Sequence, residues 1–126
     1  MGEAGDNRRY DRWLAAVGAM LAALAVALAA YATHAASPDA QSRLQLAAVF
    51  AFGHGVALAA LAPRVRRRVG RVALWMLATG ALLFSGSLVG HALATLPTAF
   101  APTGGMLMIA GWLLHAVAAV QDMGDA

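Results

Sequence analysis

Four histidines are the side chains best suited to chemistry in this sequence: His34, His54, His91 and His115. Neutral imidazole ligates haem and metal ions, and because the ring titrates near neutral pH it also serves in proton relays. A third explanation is structural, with each ring hydrogen-bonding a serine, a threonine or a backbone carbonyl across a helix interface. The four histidines are therefore candidates for cofactor binding, and three roles are open for them: ligand to haem or a metal ion, relay of protons or ions, and packing contact between helices.

The rest of the sequence lacks the groups that usually complete a catalytic or metal site. There is no cysteine, which excludes disulfides and thiolate ligands. Every acidic residue lies outside the apolar stretches, whereas metal sites usually recruit carboxylates or thiolates. No nucleophile–base–acid set, phosphate-binding loop or pair of carboxylates occurs. We therefore predict that the protein is not an enzyme and holds no metal and no cofactor, with haem as the alternative.

The elements that position these histidines are predicted to be helices in a membrane. Of the 126 residues, 61% are hydrophobic and only 12% are charged. In a soluble domain about a quarter of the residues are charged, so lipid must be the solvent for much of the surface of this protein. Strands are disfavoured because an open sheet edge cannot exist in lipid and four segments cannot close a barrel. The sequence predicts an all-α membrane protein.

Four apolar stretches, separated by short breaks, supply the membrane spans. They cover residues 13–36, 45–62, 72–96 and 103–120. About 20 helical residues cross a hydrocarbon core of about 30 Å. The second stretch gains length because Ser37 followed by Pro38 is typical of a helix start. We predict a four-transmembrane-helix bundle over residues 13–120, with tails at 1–12 and 121–126.

The distribution of arginine predicts the orientation. Of the nine basic residues, eight lie at Arg8, Arg9, Arg12 or in the segment Arg64–Arg71, and Arg43 is alone on the other side. Basic residues concentrate in cytoplasmic segments, so both termini and the central segment are predicted to be cytoplasmic (N-in, C-in). Arginine without lysine and abundant alanine are typical of a GC-rich bacterial genome, which places the bundle in a bacterial inner membrane. Arginines beside spans also favour the lipid bilayer, and not nucleic acid, as the partner.

Small residues form a face on each predicted helix, and each histidine lies on or beside such a face. Small faces let helix backbones approach, and ionisable groups in a membrane usually face the bundle interior. We therefore predict that all four histidines face the interior, His34 and His91 near the outer end and His54 and His115 about 15–20 Å deep. The stripe that leads to His34 is Ala16, Ala19, Ala23, Ala27 and Ala30. The residues predicted to pack helices together are Ser85, Gly86, Ser87, Gly104, Gly105, Gly111 and Trp112.

Several motifs resemble one known family. They are LLFSGSL at 82–88, APTGG at 101–105, GW at 111–112, AAYATH at 29–34 and Phe50 with HGVAL at 54–58. Together they resemble the YgdD-like family of small membrane proteins, a domain of unknown function with eukaryotic relatives, over about residues 13–120. The chain has Leu46 and Phe50 where that family usually has threonine and tyrosine, and His91 and His115 do not belong to its pattern. The resemblance implies a multi-pass inner-membrane protein and assigns no activity.

Two functional hypotheses follow. The first is a non-catalytic accessory or interaction subunit that packs against other membrane helices, of a partner or of itself, because small-residue faces are more abundant than one bundle obviously needs. The alternative is a small carrier, a proton or ion relay, or a haem- or metal-binding protein built around His34 and His54. Low dielectric disfavours a charged ring, so His54 is predicted to be neutral. We also predict that His34 and His54 matter more than His91 and His115.

Overall fold

The computed structural model describes residues 2–125, which form four long helices. These are α1 (Gly2–His34), α2 (Pro38–Leu61), α3 (Arg68–Ala94) and α4 (Phe100–Gly124), with a short 3-10 turn at Ala62–Arg64 between α2 and α3. Each helix is long and apolar enough to cross a membrane, and residues 2–125 contain no strand. The prediction of an all-α, four-helix membrane protein is confirmed.

The helix ends follow local chemistry and differ in detail from the apolar stretches. The start of α2 lies at Pro38 as predicted, and the carbonyl of Ser37 accepts the amides of Ala40 and Gln41 at 3.0 Å each, while the Ser37 hydroxyl makes no capping bond. The other helices extend beyond their stretches: α1 already begins at Gly2, and α4 begins at Phe100 and continues to Gly124. Most of each predicted tail is therefore helical. Arginine and glutamine have a helix propensity close to that of alanine, so the helices can continue beyond the apolar stretches.

The helices pair as two antiparallel hairpins that meet along α2 and α3. In the most apolar part of each helix, 39% of the residues of α2 and of α3 are buried, against 17% in α1 and 22% in α4. The centre of the core consists of leucines from three helices, Leu14, Leu58, Leu74 and Leu77, each at most 1% exposed. Thus α2 and α3 form the middle of the bundle, and α1 and α4 carry most of the outward surface.

One pair of glycines lets the two helices cross closely in each hairpin. A Cβ on Gly18 would lie 2.6 Å from the carbonyl oxygen of Gly55, and a Cβ on Gly55 would lie 2.7 Å from that of Gly18. In the second hairpin a Cβ on Gly80 would lie 2.8 Å from the carbonyl oxygen of Gly104, and one on Gly104 would lie 2.7 Å from that of Gly80. No other residue fits at these four positions without separating the helices, which is how small residues drive packing in lipid.

Ion pairs hold the end of the bundle that carries both termini. Arg71 Nε donates to Asp11 Oδ1 at 2.9 Å and its Nη2 donates to Oδ2 at 3.3 Å, which ties the start of α3 to α1. Arg67 Nε donates to Asp122 Oδ1 at 2.7 Å and also pairs with Asp125, which ties the α2–α3 connection to the end of α4. The sequence predicts only an orienting role for the central arginine segment, but two of its arginines also join helices.

Candidate functional site

The most completely built polar site surrounds His54, which is only 9% exposed. Its Nδ1 lies 2.8 Å from the carbonyl oxygen of Phe50 on the preceding turn of α2, and the indole nitrogen of Trp112 on α4 lies 3.1 Å from its Nε2. An indole N–H can only donate, so Nε2 must accept and carries no proton. Nδ1 then carries the hydrogen and donates to the Phe50 carbonyl. In this tautomer both ring nitrogens have a hydrogen-bond partner.

Aromatic rings enclose this histidine. The Phe50 ring stacks parallel to the imidazole with a centroid separation of 6.0 Å, and Phe84 of α3 packs on Phe50 at 4.7 Å. Trp112 lies 5.9 Å from His54 on the other side. The site thus joins α2, α3 and α4 in a mainly apolar shell.

The two glycines beside His54 do not bring a neighbouring backbone to the imidazole. Gly53 is exposed and a Cβ there would meet no atom within 4 Å, while Gly55 contacts α1 and not the imidazole. The expected hydrogen bond from a neighbouring helix backbone is replaced by the carbonyl of Phe50 within α2 and the indole of Trp112. No local pattern could have predicted the Trp112 bond, because its partners are 58 residues apart.

The other three histidines lie in different surroundings. His34 is exposed at the end of α1, so the prediction that all four rings face the interior is wrong for it; the neighbouring Thr33 donates to the Ala29 carbonyl at 2.9 Å. His91 donates from Nδ1 to the Leu96 carbonyl at 2.9 Å across the turn after α3. His115 is half-buried, meets Trp112 edge-on at 6.0 Å, and its Nδ1 is buried with no hydrogen-bond partner among residues 2–125.

This arrangement limits the chemistry of the site. Within the described part of the chain, no three histidine, cysteine or acidic side chains lie close enough to hold a metal ion. Any ligand on His54 Nε2 would have to displace the Trp112 indole, and an indole N–H cannot pass a proton onward as a hydroxyl or imidazole can. His54 is therefore built as a link between α2 and α4.

The residues predicted to pack helices together divide into inward and outward groups. Ser85 Oγ donates to the Ala47 carbonyl at 2.9 Å and joins α3 to α2, and a Cβ on Gly111 would lie 2.9 Å from Leu77 Cδ2 of α3. Gly104 forms the second crossing, Trp112 binds His54, and Gly105 only approaches Phe84, with a Cβ 4.0 Å from its ring. Ser87 Oγ is buried with no partner in the described chain.

The prediction that Gly86 packs helices of this chain together is wrong. This glycine is exposed, and a Cβ there would meet no atom within 4 Å, so it makes no helix contact inside the chain. Gly86 lies on the outward side of α3, whereas Ser85, one residue earlier, points at α2. The LLFSGSL motif at residues 82–88 therefore places residues on two different faces of α3.

Comparison with known proteins identifies the family. A family model described as "Protein of unknown function (DUF423)" matches residues 28–105. This range is more than half of the chain, so the chain belongs to that family, which agrees with the YgdD-like resemblance of its motifs. The match includes His34, His54 and His91, and ends before Trp112 and His115. No curated protein and no solved structure matches the sequence.

Proposed function

We propose that this member of the DUF423 family is a non-catalytic accessory or interaction subunit that packs against other membrane helices through the outward face of α3. We further propose that it lies in a bacterial inner membrane with both termini in the cytoplasm. The observation that supports association is the exposed Gly86. It belongs to a face formed by Leu82, Gly86, Gly90 and Leu93, which we call the α3 outer face.

The α3 outer face has the shape that favours helix association in lipid. Leu82 and Leu93 are 52% and 56% exposed and form ridges, while Gly86 between them leaves the backbone uncovered. Gly90, four residues later, is half-buried against Leu96 of the same chain, so Gly86 is the position at which a second helix could approach the backbone closely. Beside the glycines lies a cavity of about 420 Å³ lined by Leu82, Gly86 and Gly90, among others. A helix seated here would bury surface that lipid chains fill poorly.

A matched pair of glycine variants tests this proposal. Gly86→Leu fills the α3 outer face, whereas Gly53→Leu makes the same change at a second exposed glycine with open space around it. We expect both proteins to fold, because a Cβ at either position meets no atom within 4 Å and leucine favours helix more than glycine does. Native mass spectrometry after extraction in mild detergent would report self-association and bound membrane subunits. We expect Gly86→Leu to lose them and Gly53→Leu to retain them; the same stoichiometry in both variants and the parent would contradict the proposal.

A second candidate function rests on His115. Its buried Nδ1 without a partner in the described chain is the kind of group that a ligand or a transferred proton would satisfy. This observation supports the alternative of a small carrier, a proton or ion relay, or a haem- or metal-binding protein. The visible spectrum of the protein purified from its host tests the haem form, because bound haem gives a Soret band that His115→Phe would remove or shift.

A further inference from the structure

A basic and aromatic cluster occupies the outward side of α1 where the helix leaves the apolar stretch. Arg8, Arg9, Arg12 and Trp13, together with Gly5, line a surface cavity of about 590 Å³. Arg8 and Arg12 are one helical turn apart and both are exposed, and Trp13 is 63% exposed. We call Arg8, Arg12 and Trp13 the arginine–tryptophan cluster.

The cluster lies at the depth of lipid headgroups. Trp13 is the first residue of the apolar stretch, so Arg12 sits at the hydrocarbon boundary and Arg8 about 6 Å further out along the helix. The headgroup layer on each side of a bilayer is about 5–7 Å thick. Both guanidinium groups are therefore within reach of lipid phosphates, and indole rings favour this same layer.

The positive charges of the cluster contrast with those that face the bundle. Arg71 pairs with Asp11, and Arg67 pairs with Asp122 and Asp125. Arg8 and Arg12 form no ion pair with the acidic side chains that the structure describes, which are Asp6, Asp11, Asp39, Asp122 and Asp125. Asp11 lies between these two arginines in sequence but points inward, and it is only 9% exposed. α1 thus turns Asp11 toward the bundle, while Arg8 and Arg12 point outward, where an anion can reach them.

Below the cluster, the same side of α1 continues into the membrane as an exposed line of small residues. Steps of three and four residues lead from Arg12 to Ala16, Ala19 and Ala23, all of them exposed. Small side chains leave the helix backbone close to the lipid and provide a shallow apolar trough. An anion with an attached hydrocarbon chain fits both parts of this surface, and a soluble phosphate fits only the upper part.

We propose that the arginine–tryptophan cluster binds the phosphate of an anionic phospholipid whose acyl chain lies along the exposed alanines of α1. Guanidinium groups suit phosphate because their parallel N–H groups donate to two oxygens at once. Trp13 supplies the ring that packs beside the glycerol region, with its N–H free to donate to an ester oxygen. The inference concerns α1 alone and does not depend on association through the α3 outer face.

Charge-matched variants test lipid binding in the purified full chain. Arg8→Gln with Arg12→Gln removes the cluster, and Arg66→Gln with Arg68→Gln removes the same charge from exposed arginines at the same end of the bundle. Phosphatidylglycerol binding would be titrated by native mass spectrometry in a neutral detergent, with phosphatidylcholine and inorganic phosphate as separate probes. Because both guanidinium groups would donate to the phosphate, we expect the cluster variant to weaken phosphatidylglycerol binding on the order of 30-fold or more. The control variant, whose arginines lie outside the cluster, should weaken it by less than about 3-fold.

The other probes separate the remaining explanations. Phosphatidylcholine should bind much more weakly than phosphatidylglycerol, and inorganic phosphate should neither bind comparably nor displace the lipid. Arg8→Lys with Arg12→Lys keeps the charges but not the paired N–H donors, so it should bind phosphatidylglycerol more tightly than the glutamine variant and less tightly than the parent. A melting temperature equal to the parent's guards against a cluster variant that has lost its fold. Equal losses in the two glutamine variants would reduce the effect to overall surface charge and overturn the proposal. Displacement of the lipid by inorganic phosphate alone would overturn it in favour of a soluble anion.

Discussion

At the scale of single residues, the His54–Trp112 hydrogen bond predicts which histidine matters most for stability. His54→Ala removes the acceptor of the part-buried indole N–H of Trp112 and leaves space beside Phe50 and Trp112. A donor without a partner away from water costs about 1–3 kcal/mol. We expect His54→Ala to lower the free energy of unfolding by about that amount, measured by thermal melting in one detergent. Trp112→Phe should lose a similar amount, because it leaves the Nε2 of the buried His54 without a donor.

His34→Ala is the matched control, since His34 is exposed and makes no hydrogen bond among the described residues. Exposed substitutions usually change stability by less than about 0.5 kcal/mol, so we expect His34→Ala to melt as the parent does. This changes the ranking drawn from the sequence, in which His34 and His54 stood together. If His34→Ala and His54→Ala lose the same free energy of unfolding, the loss at position 54 does not come from the hydrogen bond to Trp112, because His34 makes no such bond.

The burial of His54 could be predicted from the sequence, because an ionisable ring in an apolar span usually faces the bundle interior. The identity of its partners could not. Trp112 looked like a packing residue and Phe50 like a departure from a family pattern, and only the tertiary arrangement brings them to one ring. Asp11 and Arg71 likewise lie 60 residues apart, and nothing in their local sequence marks them as a pair.

At the scale of helices, the two glycine crossings carry the close packing, and substitutions there should differ sharply from one at Gly86. A Cβ on Gly104 would lie 2.5 Å from the backbone nitrogen of Phe84, which cannot move without moving α3. We expect Gly104→Ala to lose about 1–3 kcal/mol, as overpacking does. Gly86→Ala places the same methyl group in open space and replaces glycine with a better helix former, so it should gain up to about 1 kcal/mol.

Melting temperatures of the two alanine variants and the parent in the same detergent decide this prediction. Equal behaviour would mean that Gly86 and Gly104 share one environment, contrary to the geometry of α3 and α4. The sequence identified small-residue faces on all four helices but could not sort them by direction. On α1 the predicted packing face is wrong, because its alanines are exposed at every position, whereas Gly18 and Ala25 are buried; the exposed alanines are Ala16, Ala19, Ala23, Ala27 and Ala30. Neighbouring positions such as Ser85 and Gly86 differ by about 100° around a helix, and which of them meets α2 depends on how the whole bundle closes.

At the scale of the whole molecule, hydropathy was sufficient to predict four spans, because lipid leaves few other ways to satisfy the backbone. Hydropathy could not predict which helices lie in the middle of the bundle and which lie at its outside. The outer position of α1 and α4 follows from the glycine crossings within each hairpin and from the α2–α3 contact between them, none of which is visible as an apolar stretch. The ion pairs made by Arg67 and Arg71 place the α2–α3 connection and both termini at one end of the bundle.

Which end faces the cytoplasm is predicted by charge and can be tested because the chain has no cysteine. Single cysteines at Ser37, Arg66 and Thr98 would report the three connections, and all three positions are exposed. Gly70 is a poorer site for the middle probe because it is buried against Val65. Eight arginines lie at the Arg66 end and one at the other, which predicts that the Arg66 end is cytoplasmic. In intact bacterial cells with permeabilised outer membranes, an impermeant thiol reagent should therefore label the Ser37→Cys and Thr98→Cys proteins. It should label the Arg66→Cys protein only after lysis. The opposite pattern would reverse the orientation, and with it the assignment of the arginine–tryptophan cluster to the cytoplasmic leaflet.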